Sequence, residues 1–555
     1  MKLKSNLVRG LALAAAVAAP TLAVATGGHA AEAKKPAPKL VVMIIVDQFS
    51  ANLFNQQRAT FTGGLKTLAG GMVYANGFQS HAITETCAGH STVLTGKRPN
   101  KTGIPANDWV DRATGQEVYC LAVPQNTLAD GGPGENGRVG ASAMRVSNLA
   151  DWLKASSPGS RAFAVSGKDR GAINLAGQKG DGAFWYLDNF GWTTFVEPGQ
   201  DAAKRLAPVA ALNAEIKQRQ LPAWTYTHDA CRKLEADWKI GDRMWSSKVP
   251  PENSEFDTSP GLDDLTVEAA IRLLDEQKLG QGKSTDLLGV SLSATDRIGH
   301  MYGTQGPEMC EQMYRLDAVL DVLLKRLEKV PGGVVVALTA DHGGSDFPER
   351  SNARGFREAG RLDADFLKRV NAEVRSKLGL DFDPVATGSS GFMIVDKAGK
   401  GLAEPQRSQV ADVALEVLRK QPIVAEAHRL ETAIAAAPPP VGTDPEEYTM
   451  LQRMHFSAVA NRSADIMLAF KPGITAFPAR YGRSLSSHGS PWDYDRRVPI
   501  LFWWPGVEGQ ERFFPIETVD IGPTLANVVG ATPPADIDGR CIDLGVFDAK
   551  ACPKR

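Results

Sequence analysis

A strand that ends in two potential metal ligands limits this chain to few folds. Residues 334–344 have the sequence Val-Val-Val-Ala-Leu-Thr-Ala-Asp-His-Gly-Gly. The β-branched apolar run predicts a strand covered on both faces, and open α/β sheets bind ligands at the edge where such strands end. Asp341 and His342 would lie at that edge, although an Asp-His pair after a strand also fits an ordinary turn. The other segments of the chain must therefore distinguish a metal site from a turn.

Alternating strand and helix patterns predict the fold class. Apolar runs indicate further buried strands at Leu40–Val46, 161–166 and Asp286–Leu292. Residues 309–330 carry apolar side chains at helical spacing, and a Pro-Gly-Gly sequence ends that helix before the strand at Val334. A strand, a helix and a strand in that order form a βαβ unit. We therefore predict an α/β fold with a largely parallel central sheet and helices on both faces.

The length of the chain bears on its domain organisation. The 555 residues, 43% of them hydrophobic, allow a large core in either one elaborated domain or two domains. Two regions interrupt the strand and helix pattern, at about 180–260, which is rich in Trp, Tyr and Phe, and at about 379–477. We expect one domain over residues 31–555, with both regions as insertions that cover a site at the sheet edge.

Residues 1–30 predict export. Three basic residues precede an apolar stretch at 11–24, and the small residues Gly28 and Ala30 fit a signal peptidase site. The apolar stretch is short for a membrane span, although a retained N-terminal anchor is the alternative. Later segments lack the long apolar run of a membrane helix. We therefore expect a periplasmic or secreted protein without a membrane anchor.

Charge and cysteine usage agree with this location. The formal net charge is −1, and removal of the three basic residues of the signal peptide makes it −4, so a nucleic-acid partner is not expected. The six cysteines can form disulfides in an oxidising compartment, and a bond between Cys541 and Cys552 would close a short C-terminal loop. A thiolate zinc site is not predicted, because no Cys-x-x-Cys sequence occurs.

Potential ligands follow other predicted strands as well. Asp47 comes directly after the first strand, and Asp296 and His300 are four residues apart, which places both on one side of a helical turn. His488 lies in a loop of small residues. Each residue alone could be a cap, a surface side chain or a satisfied core histidine. With the Asp-His pair at 341–342, they supply three carboxylates and three imidazoles, a set that suits two Zn²⁺.

The order of these motifs resembles the metal-site sequence of the alkaline phosphatase superfamily over about residues 40–505. The matching residues are Asp47, Thr86 with His90, Asp296 with His300, Asp341-His342-Gly343 and His488-Gly489. Thr86 together with Lys168-Asp169-Arg170 and Asn107 is similar to the bacterial periplasmic, phosphate-irrepressible alkaline phosphatases, which act as monomers. The sulfatases of the superfamily use a Cys-x-Pro-x-Arg sequence, and residues 87–91 lack its Pro and Arg, which disfavours a sulfatase.

The resemblance implies a role for each residue. One Zn²⁺ would be bound by Asp296, His300 and His488. The other would be bound by Asp47, Asp341 and His342 together with the Thr86 oxygen. Thr86 would be the nucleophile, and the phosphate would be bound by Asn107, Lys168 and Arg170. Two alternatives remain open: Thr84 is a competing nucleophile, and Thr86 could be an ordinary N-cap of a helix that begins near Gly89.

The predicted function is hydrolysis of small phosphate monoesters by a zinc-dependent phosphomonoesterase of broad substrate range. It would use a phosphothreonine intermediate and two-metal in-line transfer. Lys168 and Arg170 can point to one face of an extended turn, and two cations favour a dianionic monoester over a diester. A phosphodiesterase or nucleotide pyrophosphatase of the same superfamily is the closest alternative. An alternative of another class is a non-catalytic, metal-stabilised phosphate-binding protein.

Overall fold

The computed structural model describes residues 34–188, 190–219, 224–248, 255–389, 391–477, 484–548 and 552. The predicted signal peptide at 1–30 lies outside these residues. Within them, no helix is both long enough and apolar enough to cross a membrane.

Ten strands of the described residues form a central sheet. In chain order they are β1 (Leu40–Val46), β2 (Met72–Phe78), β3 (Ala162–Ser166), β4 (Gly182–Leu187), β5 (Gly191–Thr193), β6 (Asp286–Leu292), β7 (Val334–Thr339), β8 (Arg497–Trp503), β9 (Gln510–Glu511) and β10 (Ile516–Glu517). The order across the sheet is β9-β2-β8-β7-β1-β6-β3-β4-β5, and β10 also pairs with β2. The strands β7, β1, β6, β3 and β4 are mutually parallel, whereas β8 and β5 run antiparallel to their neighbours. The predicted largely parallel sheet is confirmed.

Both faces of the sheet are covered. Ile44 and Val46 of β1 enter one hydrophobic core, and Met43 and Ile45 enter the other. This is why β1 has a continuous apolar sequence instead of an alternating one. The α-helices are Ala51–Gln57, Gly64–Ala69, Thr86–Val93, Pro99–Thr102, Leu149–Ser156, Asp169–Ala176, Ala202–Ile216, Asp229–Arg232, Gly261–Glu276, Ala294–Tyr302, Pro307–Leu327, Pro348–Ala353, Phe366–Leu378, Gln406–Arg419, Leu430–Ala435, Met450–Ser457, Asp493–Arg496 and Ile521–Val529.

The helix predicted at 309–330 spans Pro307–Leu327. Proline fits the first position of a helix because an N–H group there would have no intrahelical partner, so its absence costs nothing. The helix therefore begins two residues before the apolar pattern. The predicted strand at 161–166 begins one residue later, at Ala162.

The aromatic segment at the start of the region 180–260 belongs to the central sheet. β4 pairs in parallel with β3, and β5 returns antiparallel as the edge strand. Phe184 and Trp192 are buried in the core. The remaining described part of the region contains the helices Ala202–Ile216 and Asp229–Arg232 and the hairpin of Asp237–Ile240 with Arg243–Ser246.

The region 379–477 contains a second sheet with its own core. Its four antiparallel strands are Val385–Gly388, Gly391–Ile394, Ile466–Phe470 and Val424–Arg429, in that spatial order. The helices Phe366–Leu378 and Gln406–Arg419 pack on it through Val370, Val374 and Leu418. The domain and insertion boundaries stay predictions.

All six cysteines are paired, as Cys87–Cys120, Cys231–Cys310 and Cys541–Cys552. The predicted C-terminal pairing is confirmed. Cys87–Cys120 has a structural consequence, because it ties the helix Thr86–Val93 to the hairpin of Asp108–Val110 and Glu117–Tyr119.

Candidate active site and metal centre

The carboxyl ends of four adjacent strands converge on one place. β7, β1, β6 and β3 lie side by side, and a charged residue follows each within a few positions. These residues are Asp341, Asp47, Asp296 and Lys168 in the same spatial order. Parallel strands end at one edge of a sheet, so four segments distant in sequence deliver their side chains to a single site.

Asp47, Asp341 and His342 form the first ligand group. All three are fully buried, and their potential ligand atoms lie within 4.8 Å of one another. His342 Nε2 is 3.4 Å from Asp47 Oδ1 and 3.5 Å from Asp341 Oδ2. His342 Nδ1 lies 2.9 Å from the Gly343 carbonyl oxygen, to which it can donate, so Nε2 faces the carboxylates.

Asp296, His300 and His488 form the second ligand group. Asp296 Oδ1 lies 3.3 Å from His300 Nε2 and 3.4 Å from His488 Nε2. The Nδ1 atoms of the two histidines lie 3.1 Å and 2.7 Å from the carbonyl oxygens of Ser486 and Thr84. Each carbonyl orients its imidazole so that Nε2 points inward, which is the arrangement of metal-binding histidines.

The two groups fit divalent cations. Burial and the carboxylates of Asp296 and Asp341 hold the pKa of Asp47 well above its ordinary value. Asp47 Oδ1 is buried and accepts no hydrogen bond from the residues that the structure describes. A cation shared by these carboxylates would lower that pKa and satisfy the oxygen. Mixed carboxylate and imidazole donors are the set that Zn²⁺ prefers in catalytic sites.

Thr86 is the first residue of the buried helix Thr86–Val93, and its Oγ1 lies 3.5 Å from His342 Nε2. The N-cap of this helix is Glu85, so the alternative in which Thr86 caps a helix that begins near Gly89 is wrong. The other candidate nucleophile, Thr84, donates its hydroxyl to the Ser490 carbonyl oxygen at 2.8 Å. Of the two threonines, Thr86 is the one whose hydroxyl contacts a ligand group.

The helix of Thr86 lies directly against the first ligand group. A Cβ atom on Gly89 would come within 2.0 Å of the Asp341 carbonyl oxygen, so only glycine allows this approach. One turn after Thr86, His90 Nδ1 lies 3.0 Å from both the Thr86 carbonyl oxygen and Asp341 Oδ2. His90 therefore connects the backbone of Thr86 to a carboxylate of the first group.

Lys168 lies between the two ligand groups. Its Nζ is 2.6 Å from Asp47 Oδ2 and 2.5 Å from Asp296 Oδ2, and its side chain is 4% exposed. A helix begins at Asp169, so Lys168 and Arg170 do not lie on the expected extended turn. Both nevertheless line one cavity of about 450 Å³ together with Asp296 and His300.

Arg170 and Asn107 are held by neighbouring side chains. Arg170 Nη1 donates to the Tyr119 hydroxyl at 3.4 Å, and that hydroxyl donates to Asp169 Oδ1 at 2.6 Å. Asn107 Oδ1 accepts from the Cys87 backbone N–H at 2.9 Å, which leaves its Nδ2 group as the donor that can face an anion. Asn107 thereby lies at the start of the Thr86 helix.

Gln48 was not predicted from the sequence. It is buried, has a φ of 64°, and connects the two ligand groups. Its backbone N–H donates to Asp341 Oδ1 at 3.2 Å, and its Nε2 donates to Asp296 Oδ1 at 3.1 Å. A positive φ in a non-glycine residue is costly and is often found at functional sites. The only sequence signal was its position directly after Asp47.

Comparisons with known proteins identify the class. Residues 41–491 match the family model of type I phosphodiesterases / nucleotide pyrophosphatases. The chain belongs to this family, within the alkaline phosphatase superfamily. Among its relatives is alkaline phosphatase PhoK of Sphingomonas sp, with 37% identity over 532 residues, 93% of this chain and 92% of that protein. Alkaline phosphatase PhoD of Zymomonas mobilis is 35% identical over 530 residues, 93% of this chain and 89% of that protein.

A solved structure agrees with the fold. The crystal structure of wild-type alkaline phosphatase PafA has a TM-score of 0.78 at 24% identity, covering 92% of this chain and 99% of that chain. The relationship to these alkaline phosphatases implies metal cofactors. The chain is an enzyme, a phosphatase of the alkaline phosphatase superfamily, and this prediction from the sequence is confirmed.

Proposed function

We propose that the protein is an exported, zinc-dependent phosphomonoesterase of broad substrate range that acts through a phosphothreonine. The position of Thr86 carries this proposal. Its hydroxyl is next to His342 in the first ligand group and lies at the N-terminus of a helix, where backbone N–H groups favour an anion. A phosphate at this point would also be attracted by the positive charge of the Lys168 ammonium group.

The residues that would hold the two Zn²⁺ are Asp47, Asp341 and His342 for one ion and Asp296, His300 and His488 for the other. When bound, such a pair of ions lowers the pKa of the attacking hydroxyl and of a water molecule, and it stabilises charge on the attacking and leaving oxygens.

Thr86 would carry the covalent chemistry. Thr86 Oγ1 loses its proton and forms a bond to phosphorus, and the bond from phosphorus to the leaving oxygen breaks. The products of this step are a phosphothreonine and an alkoxide that takes up a proton. A water molecule then forms a bond to phosphorus as it loses a proton, the bond to Thr86 Oγ1 breaks, and Thr86 regains its proton when phosphate leaves.

Lys168, Arg170 and Asn107 would bind the non-bridging phosphate oxygens. The Lys168 ammonium has three N–H donors, and two of them are directed at Asp47 and Asp296, so one remains for phosphate. Arg170 adds a second cation on the same cavity. Two cations on one cavity support a dianionic monoester, because a diester has one charged oxygen fewer.

Diester hydrolysis is the second candidate function. The matching family is that of type I phosphodiesterases and nucleotide pyrophosphatases. A diesterase could use the same nucleophile and the same two metals as a monoesterase. The buried position of Lys168 between the groups favours the monoesterase. In a diester, a second substituent would replace one of the oxygens that Lys168 and Arg170 could bind.

Export is supported by the three disulfides, since these bonds persist in oxidising compartments. The basic and apolar sequence of residues 1–30 supports the same location.

The test is a parallel assay on metal-free protein reloaded with zinc. Rates with an aryl phosphate, a bis-aryl phosphodiester and an aryl sulfate are compared for the wild type, Thr86→Ala and Thr84→Ala. We expect the aryl phosphate to be hydrolysed fastest by orders of magnitude, Thr86→Ala to lose at least about a thousandfold in kcat, and Thr84→Ala to retain most of the activity. A faster diester reaction would overturn the monoesterase assignment. No hydrolysis by the zinc-loaded wild type would favour a phosphate-binding protein.

A further inference from the structure

Two adjoining cavities open from the second ligand group toward the surface. The inner cavity, of about 450 Å³, is the one lined by Lys168, Arg170, Asp296 and His300. The outer cavity, of about 370 Å³, has Tyr186 and Phe190 in its wall. The two cavities share three wall residues, which are Glu135, Asp257 and Arg297. A molecule that extends from the inner cavity past Arg297 therefore enters the outer one.

The geometry of in-line transfer defines which part of a substrate would extend there. The leaving oxygen departs on the side opposite the attacking oxygen. Thr86 contacts His342 of the first ligand group, whereas Asp296 and His300 of the second group line the inner cavity. A leaving group in line with Thr86 would therefore lie on the side of Asp296 and His300, in the cavity that Arg297 also lines.

The outer cavity has an apolar part. Tyr186, Leu187 and Leu262 form its wall, and Phe190 lies at the surface with 48% of its area exposed. A phenylalanine exposed to this extent at the mouth of a cavity can cover an apolar or aromatic group that enters it.

The outer cavity is also negatively charged. Arg297 Nη1 is 2.5 Å from Asp257 Oδ2, and its Nη2 is 3.4 Å from Glu135 Oε2, so carboxylates of the wall already neutralise this guanidinium. With Asp188, the lining carries three carboxylates against one guanidinium. A leaving group with a further negative charge would be repelled, whereas a neutral or cationic one would not.

We propose that the outer cavity binds the leaving group of the phosphate monoester and that, within the broad substrate range, it favours aromatic or apolar leaving groups that carry no additional negative charge. Asp188 and Phe190 are the residues that would determine this selectivity. The inference rests on the proposed monoesterase function, and it adds the class of substrate that the site prefers.

The test is a comparison of kcat/KM for four substrates on the zinc-loaded full-length enzyme. The substrates are ethyl phosphate, phenyl phosphate, 4-carboxyphenyl phosphate and 4-trimethylammoniophenyl phosphate. Ratios between wild type and variant cancel the intrinsic reactivity of each ester. Asp188→Asn should raise the ratio of the carboxyphenyl to the phenyl ester about threefold and lower the ratio of the ammoniophenyl to the phenyl ester by a similar factor.

Phe190→Ala should lower the ratio of phenyl to ethyl phosphate about three- to tenfold. The matched controls are Asp229→Asn and Phe514→Ala; Asp229 is exposed and Phe514 is 51% exposed, and neither lines these cavities. We expect both controls to leave every ratio unchanged.

Two outcomes would overturn the inference in different ways. If the wild type hydrolyses phenyl phosphate efficiently but Asp188→Asn and Phe190→Ala leave the ratios unchanged, the leaving group lies elsewhere and the proposed function stands. If the wild type hydrolyses none of the monoesters, the proposed function fails and the leaving-group site fails with it.

Discussion

The imidazole rings of His342 and His488 are stacked, with centroids 3.6 Å apart and planes 15° apart, although each belongs to a different ligand group. The two ligand groups are therefore in direct contact through these rings. A change in one group reaches the other through this contact, and the effects of substitutions on the two predicted metal sites should not be independent.

Metal content should follow this coupling. We expect about two zinc ions per chain in the wild type. His488→Ala should lose the ion of the second ligand group and should lower the zinc affinity of the first ligand group. The measurement is zinc content by mass spectrometry after dialysis at a fixed free zinc concentration. His455→Ala is the control, since His455 is half-buried and its Nδ1 contacts the Ala433 carbonyl oxygen away from the site. Retention of both ions by His488→Ala would contradict the ligand assignment.

Lys168 and Arg170 should control the preference between monoesters and diesters. Replacing Lys168 by Gln and Arg170 by Gln should lower kcat/KM for an aryl phosphate by about a hundredfold or more, because both positive charges that would stabilise the negative charge on the non-bridging oxygens are removed. The loss for an aryl phosphodiester should be less than about tenfold, since it has one charged oxygen fewer. Lys179→Gln with Arg138→Gln is the control for removal of two positive charges. Equal losses for both esters would contradict the monoester assignment.

Gly89→Ala should be strongly destabilising. The new methyl group would lie 2.0 Å from the Asp341 carbonyl oxygen, and relieving this clash requires a shift of the backbone. We expect a loss of about 2 kcal/mol or more in the free energy of unfolding, together with reduced activity. Urea unfolding measures this loss, and Gly282→Ala is the control because a Cβ there meets no described atom within 4 Å. Similar stabilities for the two variants would show that the helix can shift.

The disulfide Cys87–Cys120 should support activity as well as stability. It closes a loop of 33 residues, and replacing both cysteines by serine should cost about 3–4 kcal/mol of unfolding free energy by loop entropy. Because Cys87 follows Thr86, kcat should fall also under conditions where the variant is fully folded. The control is the double serine variant at Cys541–Cys552, which closes a loop of 11 residues far along the chain from Thr86. That variant should keep its kcat, and a kcat unchanged in both would contradict a role in positioning.

Glu308 should make stability depend on pH. Burial raises its pKa from 4.5 to about 7, so the folded state retains a proton that the unfolded chain releases between these values. The free energy of unfolding should therefore decrease as pH rises through this window, by at most about 3 kcal/mol from this group. Glu308→Gln should remove the contribution of this group, so that stability falls less steeply between pH 5 and pH 8 than in the wild type. Urea unfolding at pH 5 and pH 8 tests this, with the exposed Glu447→Gln as control; parallel profiles would contradict it.

The central sheet and the two candidate ligand groups were predictable from the sequence because the relevant patterns are local. β1 and β7 have continuous apolar sequences, which follows from burial on both faces, and their candidate ligands come one to three residues after the strand. β4 was placed in an insertion instead of the sheet, because a short aromatic run does not distinguish a sheet strand from the core of an insertion.

Other features depend on tertiary contacts. The position of Lys168 between Asp47 and Asp296 follows from the adjacency of β3, β6 and β1, which no local pattern encodes. The bridging contacts of Gln48 require the same adjacency. The roles of Asn107, Lys168 and Arg170 in binding phosphate stay predictions.

The spread of the ligand residues along the chain has a consequence for the timing of activity. Asp47 is near the N-terminus, and His488, which contacts Asp296, is among the last residues before β8. A ribosome must add His488, and the chain must fold back over more than four hundred positions, before both ligand groups are complete. Chains that end before His488 therefore lack part of the second ligand group, and activity would report that synthesis has passed His488 and that the two distant parts of the chain have folded together.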